Sequence, residues 1–233
     1  MIRRTLLFAT LLSVLVPLHL RADPKLVVVE LYTSQGCSSC PPADKLMHDL
    51  AARDDVIALA LHVDYWDYIG WTDEYANPAY TSRQQKYAHV AGRKMVYTPQ
   101  MIIGGQDDVV GARSMELADL IAKHRSQKAT TRVHATREGN VLKVTAETDG
   151  PLSEASDIHL VRYDPERVAK ITRGENAGRT LTYTNVVADW QVVGQWDGTA
   201  PLKMTVPVSG DMPSVVLVQM PGPGRILAAV RVE

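Results

Sequence analysis

Cysteine and net charge are both scarce in this chain of 233 residues. Its two cysteines are Cys37 and Cys40, and neither lies near a candidate signal-cleavage site after Ala22, so a lipid anchor at that site is excluded. A net charge of −1 leaves no basic surface typical of nucleic-acid binding and no acidic tail. Internal repeats, low-complexity tracts and long flexible linkers are also missing, which favours compactly folded domains.

The one long apolar run lies at the amino terminus. Arg3 and Arg4 precede an apolar run over residues 5–16. This run is too short for a comfortable membrane span, so it predicts a secretory signal peptide over residues 1–22, with an uncleaved anchor as the alternative. We expect the mature chain, beginning at Asp23, to be periplasmic or secreted, without stable membrane insertion.

The two cysteines form a C-x-x-C motif at a predicted strand-to-helix turn. An apolar, β-branched segment, residues 26–29, precedes the motif and predicts a buried strand. After it, apolar residues recur at helical spacing, and Pro41 and Pro42 suit a first helical turn. The unpaired N–H groups and the positive dipole at a helix start stabilise a thiolate, so this placement favours redox chemistry.

Two other roles for the cysteines stay open at this point. A bond between residues so close in sequence constrains little of the unfolded chain, which argues against a purely structural disulfide. Two thiolates can also bind a metal ion, and His62, at the end of the next predicted strand, is a candidate third ligand for copper or zinc. The alternative for His62 is a hydrogen-bonded core residue.

The first half of the chain alternates predicted strands and helices. A continuous apolar strand covers residues 56–63, and a helix begins after the N-cap Asn77. Two short strands around the turn at residues 104–107 and a helix from Ser114 complete the set. Residues 65–92 form an enlarged segment rich in aromatic residues, which either line a peptide groove or pack the segment onto the domain.

From residue 129 onward the pattern changes to short strands separated by turns. Nine such strands are predicted between residues 132 and 232. Many short strands at regular spacing favour a β-sandwich. The polar, glycine-containing loop at residues 173–179 either approaches the cysteine pair, binds an anion or forms a solvated hairpin.

Three longer strings, ELYTSQGCSSCPPAD, HVDYWDYIGW and VYTPQMIIGG, resemble an uncharacterised family of secreted bacterial thioredoxin-like proteins, known as a domain of unknown function. The resemblance implies an α/β thioredoxin-like domain over residues 23–128, and the strand pattern predicts an all-β, sandwich-like domain over residues 129–233. It also implies that Cys37 is the nucleophile and Cys40 the resolving thiol. Thr98 and Pro99 match a motif in which the peptide bond is cis and faces the cysteines.

Glu30 is a further candidate catalytic residue. By the same resemblance it lies close to the position of a buried carboxylate behind the second cysteine, although the spacing differs by one residue. Burial there would raise its pKa and let it relay the proton of Cys40. The alternative is a charged strand end that faces solvent.

The sequence therefore predicts a periplasmic or secreted thiol–disulfide oxidoreductase, or a redox-sensing protein, that uses Cys37 and Cys40 without a cofactor. Its protein thiol or disulfide partner is not identified by the sequence. The first alternative is a noncatalytic thioredoxin-like binding module with a structural disulfide. The second is a copper-binding protein that uses Cys37, Cys40 and His62.

Overall fold

The computed structural model describes residues 25–232, so the predicted signal peptide lies outside the described residues. No helix in the described range is long and apolar enough to span a membrane. The strands and helices follow one another in the order β1 (Val27–Thr33), α1 (Pro41–Ala51), β2 (Val56–His62), α2 (Pro78–Val90), β3 (Gln100–Ile103), β4 (Asp107–Val110), α3 (Ser114–Ser126), β5 (Thr131–Glu138), β6 (Val141–Thr148), β7 (Ser156–Lys170), β8 (Thr180–Trp196), β9 (Leu202–Pro207), β10 (Ser214–Gln219) and β11 (Ile226–Val232).

Strands from both halves of the chain share one large mixed sheet. Its eight strands lie in the order β11-β10-β7-β8-β2-β1-β3-β4, and a second sheet has the order β5-β6-β9. The two halves meet where β2 and β8 run parallel, with Ala60 opposite Val186. The side-chain amide of Asn185 strengthens this junction by donating to the Ala58 carbonyl at 2.9 Å.

The predicted fold class, an α/β thioredoxin-like domain followed by a separate β-sandwich, is wrong. Four strands of the second half, β7, β8, β10 and β11, extend the sheet of the first half instead of closing a sandwich of their own. Alternating apolar residues show that a strand is buried on one face, but they do not specify which strand it pairs with. The helices and strands of the first half do occur in the predicted order.

The two faces of the large sheet have different coverings, which follow from the alternation of side chains along β1. Val27, Val29 and Leu31 pack against α1 and α3. Val28 and Tyr32 point the other way and pack against α2. Where β7, β10 and β11 continue the sheet, a separate apolar cluster joins it to the three-stranded sheet.

Two pairs of predicted short strands are continuous in the structure. Asp164 and Pro165 lie within β7, which pairs with β8 along most of its length. Pairing of β7 with β10 covers only residues 157–162, so β7 is an edge strand on that side beyond residue 162. A proline, which lacks an N–H group, is tolerated there because no ladder hydrogen bond is needed on an open edge.

Candidate functional site

Cys37 and Cys40 form a disulfide at the turn between β1 and α1. Their Cα atoms are 5.4 Å apart, and both residues are 0 % exposed. The Cys40 carbonyl accepts from the N–H groups of Ala43 and Asp44 at 2.8 and 3.1 Å, which closes the first turn of α1. The pair therefore lies at a strand-to-helix turn, as expected, and both residues are buried.

The aromatic segment packs one wall of the site. A Cβ added at Gly36 would lie 3.1 Å from Trp66 Cβ, a tight contact, so glycine favours the close approach of this segment. The Trp66 indole N–H donates to the Thr98 hydroxyl at 2.7 Å, and the Thr98–Pro99 peptide bond is cis, as expected. The aromatic residues thus link the turn that holds the cysteines to the loop that precedes β3.

A second wall comes from the loop between β7 and β8. The Asn176 side-chain amide donates to the carbonyl oxygens of Gln35 and Cys37 at 2.9 and 3.0 Å. Glu175 accepts from the Ser38 backbone N–H at 3.2 Å. This loop therefore approaches the cysteine pair, which was one of the three roles open from the sequence.

Asp44 is a buried carboxyl group on the same helix as the cysteines. It follows Cys40 by four residues, so the two side chains share one face of α1. The Thr33 hydroxyl donates to Asp44 Oδ1 at 2.7 Å, whereas Oδ2 has no hydrogen-bond partner among the described residues. Burial raises the pKa of Asp44 to about 7, against the opposing effects of His62 and the Thr33 hydroxyl.

His62 and Asp73 form a buried pair near Asp44. His62 Nδ1 lies 2.7 Å from Asp73 Oδ2, which also accepts from the Gln35 backbone N–H at 2.8 Å. Burial raises the pKa of Asp73, but His62 and the backbone donors outweigh this effect and hold it below the usual value. Within the described part of the chain, His62 Nε2 and the Tyr183 hydroxyl lack hydrogen-bond partners.

The predicted metal ligands are not arranged as a metal site in this structure. The two cysteine sulfurs are bonded to each other, and one ring nitrogen of His62 is engaged by Asp73. Over residues 25–232, no group of three or more His, Cys, Asp or Glu side chains has a geometry that could hold a metal ion. The copper site of Cys37, Cys40 and His62 stays a prediction for the reduced protein.

Glu30 lies on the opposite face of β1 from α1. Its carboxylate is fully buried and accepts from Arg83 at 2.7 and 2.9 Å, with further hydrogen bonds from Tyr32 and Tyr87. Side chains alternate along a strand, so Thr33 faces Asp44 while Glu30 faces α2. The carboxyl group on the cysteine side of the sheet is therefore Asp44.

Asp44 and Asn176 are the site residues that sequence reasoning missed. The spacing of four residues after Cys40, inside a helix start packed by apolar neighbours, was a signal that could have identified Asp44. Asn176 carried no comparable signal, because it is separated by 139 residues from Cys37, whose carbonyl it binds. Only the pairing of β7 with β8 and of β8 with β2 brings it to the site.

We expect Asp44→Asn to remove much of the loss of stability of the oxidised protein between pH 4 and pH 8. Because the folded-state pKa of Asp44 is raised from 3.8 to about 7, its stabilising contribution is full below about pH 4 and is lost as the pH rises through 7. Asparagine cannot ionise, but its buried amide adds an unpaired donor. The variant should be about 1 kcal/mol less stable at pH 4 and about 2 kcal/mol more stable at pH 8.

Urea unfolding with the disulfide intact, at pH 4, 6 and 8, measures this effect. Asp49→Asn is a matched control, because Asp49 is exposed on the same helix. His62, Asp73 and Tyr183 all act on Asp44 and are retained in both variants. If the free energies of unfolding of the wild type and Asp44→Asn change in parallel with pH, the raised pKa of Asp44 is contradicted.

The fold and the site together define a protein with a buried C-x-x-C disulfide at a strand-to-helix turn of a mixed eight-stranded sheet. The chain belongs to the family described as Protein of unknown function (DUF1223), whose model matches residues 28–219. The predicted membership of an uncharacterised family is therefore confirmed. A search of the curated proteins finds no match.

Two solved structures are similar to this chain over most of its length. Protein AGR_C_4864 from Agrobacterium tumefaciens is 33% identical, with a TM-score of 0.78 over 90% of this chain and 95% of that one. HBP35 of Porphyromonas gingivalis is 14% identical, with a TM-score of 0.64 over 90% of this chain and 75% of that one. The second likeness concerns the fold alone.

Proposed function

We propose that this protein is a thiol–disulfide exchange protein, an oxidoreductase or a redox sensor, that works in the periplasm or outside the cell. One observation carries the proposal: a disulfide between near neighbours lies at a helix start, with the buried Asp44 carboxyl group one turn further along the same helix face. A thiolate that forms at such a position is stabilised by the helix N-terminus. A nearby group has to supply the proton that this thiolate takes up, or accept the proton that the thiol loses.

The exchange reaction proceeds in two steps that balance in atoms and electrons. A thiolate of a partner dithiol attacks Cys37, so that a mixed disulfide forms and the Cys37–Cys40 bond breaks. Cys40 leaves as a thiolate and takes the proton of Asp44, which becomes a carboxylate. The second partner thiol then attacks the mixed disulfide, and its proton passes to the departing Cys37 thiolate, so that the partner leaves oxidised by two electrons and this protein holds two thiols and the Asp44 carboxylate.

Asp44 is suited to this proton transfer at neutral pH. A pKa of about 7 means that its protonated and ionised forms are both populated near pH 7. The buried pair of His62 and Asp73 lies behind it, with 2.7 Å between His62 Nδ1 and Asp73 Oδ2. The Asp44 carboxyl group lets this part of the core gain or lose a proton without an exposed acid.

Redox equilibration tests the proposal most directly. Free thiols are quantified after incubation in defined glutathione or dithiothreitol buffers, and we expect a reduction potential between about −120 and −270 mV, the range of exchange catalysts. Asp44→Asn should slow exchange with glutathione at pH 7 by about tenfold or more, since a positioned acid or base typically contributes at least this much. Asp49→Asn should react at the wild-type rate, because its side chain is exposed and lies away from the cysteines along α1.

A noncatalytic binding module is the second candidate, and the complete burial of both cysteines favours it. In that case the disulfide would hold the turn, and the aromatic segment would form part of an interface. A potential below about −300 mV, together with equal exchange rates for Asp44→Asn and Asp49→Asn, would overturn the redox proposal in favour of this one.

A further inference from the structure

The loop at residues 173–179, which we name the cover loop, lies over the backbone of the cysteine motif. It belongs to the second half of the chain and connects β7 to β8. Its contacts with the motif are polar: Asn176 donates to Gln35 and Cys37, and Glu175 accepts from Ser38. The carbonyl and N–H groups that the loop engages belong to Gln35, Cys37 and Ser38, next to or within the disulfide-bonded turn.

A single buried side chain anchors the cover loop. Asn176 is 0 % exposed, whereas the other six residues of the loop are exposed. The Asn176 side chain is held from both ends, because its oxygen accepts from Arg179 at 2.8 Å while its amide binds the motif. A segment that buries so little apolar surface opens locally at low free energy, without unfolding of the sheet.

The backbone of the loop contains two points of conformational freedom. Gly174 and Gly178 flank the anchor and have φ angles of +76° and +83°, in the region that favours glycine. Gly174 lies against the aromatic segment, where an added Cβ would be 3.3 Å from Trp71. The loop therefore meets both the cysteine motif and the aromatic wall, and glycines lie on each side of its anchor.

We propose that the cover loop is a displaceable lid, anchored by Asn176, that controls access of thiols to the Cys37–Cys40 disulfide. The inference rests on the proposed function, because a lid regulates only a pair that reacts. Neither cysteine is exposed in the structure, so an attacking thiolate reaches a sulfur atom only after residues around the disulfide have moved. A partner protein reaches the disulfide by competing with Asn176 for the carbonyl groups of Gln35 and Cys37.

The rate of reduction by dithiothreitol measures this access. Dithiothreitol supplies both electrons and both protons and becomes a cyclic disulfide, so no other reagent is needed. Asn176→Ala removes two hydrogen bonds to the motif, and we expect its disulfide to be reduced about tenfold faster than that of the wild type. Asn140→Ala is the matched control, because Asn140 is exposed in the turn between β5 and β6, and we expect the wild-type rate.

A second measurement separates opening of the lid from loss of global stability. If the lid opens locally, reduction of Asn176→Ala stays fast and nearly independent of urea below the unfolding transition. A reduction rate that increases with urea in parallel with the variant's global unfolding equilibrium would overturn the proposal. Equal rates for the wild type and Asn176→Ala would also overturn it.

Different results would contradict the lid proposal and the proposed exchange function. An unchanged rate in Asn176→Ala, with a reduction potential in the range of exchange catalysts, removes the lid and leaves the exchange function. A potential in the range of structural disulfides removes the exchange function, whatever the rate of Asn176→Ala.

Discussion

Reduced Cys40→Ser should accumulate a stable mixed disulfide with glutathione when oxidised glutathione is added, whereas Cys37→Ser should form little or none. In Cys40→Ser, the remaining thiol of Cys37 attacks glutathione disulfide, and no second thiol is present to resolve the product. In Cys37→Ser, the remaining thiol belongs to Cys40, the N-cap residue of α1, which the resemblance to thioredoxin-like proteins assigns as the resolving thiol. We expect its adduct to form at least about a hundredfold more slowly.

Intact-mass spectrometry over time resolves the adduct from the free thiol and from the disulfide. The wild type should pass through the adduct only briefly, because Cys40 resolves it and restores the internal disulfide. Ser38→Ala is a suitable control, since Ser38 is exposed between the cysteines and both thiols are retained. Equal adduct formation by the two cysteine variants would contradict the assignment of Cys37 as the nucleophile.

Arg83→Met should lower the free energy of unfolding by about 3–5 kcal/mol. The guanidinium group binds the fully buried carboxylate of Glu30 through two nitrogens, at 2.7 and 2.9 Å, and also binds Gln219 at 2.9 Å. It stacks on the Trp190 ring at 3.9 Å from the centroid. Methionine retains the apolar volume but leaves a buried negative charge without its partner.

Denaturant unfolding at pH 7 provides the measurement, and two further variants identify the cause. Arg132→Met removes an exposed pair with Glu147 and should lose less than about 1 kcal/mol. Adding Glu30→Gln to Arg83→Met removes the unpaired charge, so the double variant should be more stable than Arg83→Met alone. A loss below about 1 kcal/mol in Arg83→Met, or no recovery in the double variant, would show that the pair contributes little.

This buried pair also explains why Glu30 was difficult to interpret from the sequence. A carboxylate in an apolar strand seven residues before Cys37 is compatible with a role behind the cysteines, which the resemblance to thioredoxin-like proteins suggests, and equally with a charged strand end. The direction of its side chain depends on which face of β1 receives α1. In the structure, α1 packs on the face of β1 that carries Thr33. Glu30 points to the other face and forms an ion pair with Arg83 of α2.

Local structure near the cysteines was predictable because it depends on interactions close in sequence. The helix begins at Pro41, as expected, and Asn77 caps α2 by accepting from the Ala79 N–H at 2.9 Å. The glycine-rich hairpin turn between β3 and β4 is present where it was predicted. Caps, proline at a first helical turn and hairpin turns all act within a few residues, so they can be recognised without knowledge of the partners.

Long-range pairing was not predictable in the same way, and it decided both the fold class and the site. The sequence by itself determined the order of strands and helices in the first half and the position of the cysteines between β1 and α1. Only the tertiary structure placed β8 beside β2, which united the two halves in one sheet and brought Asn176 to Cys37. Strand pairing depends on backbone hydrogen bonds that every residue except proline can make, so the sequence pattern of one strand does not identify its neighbour.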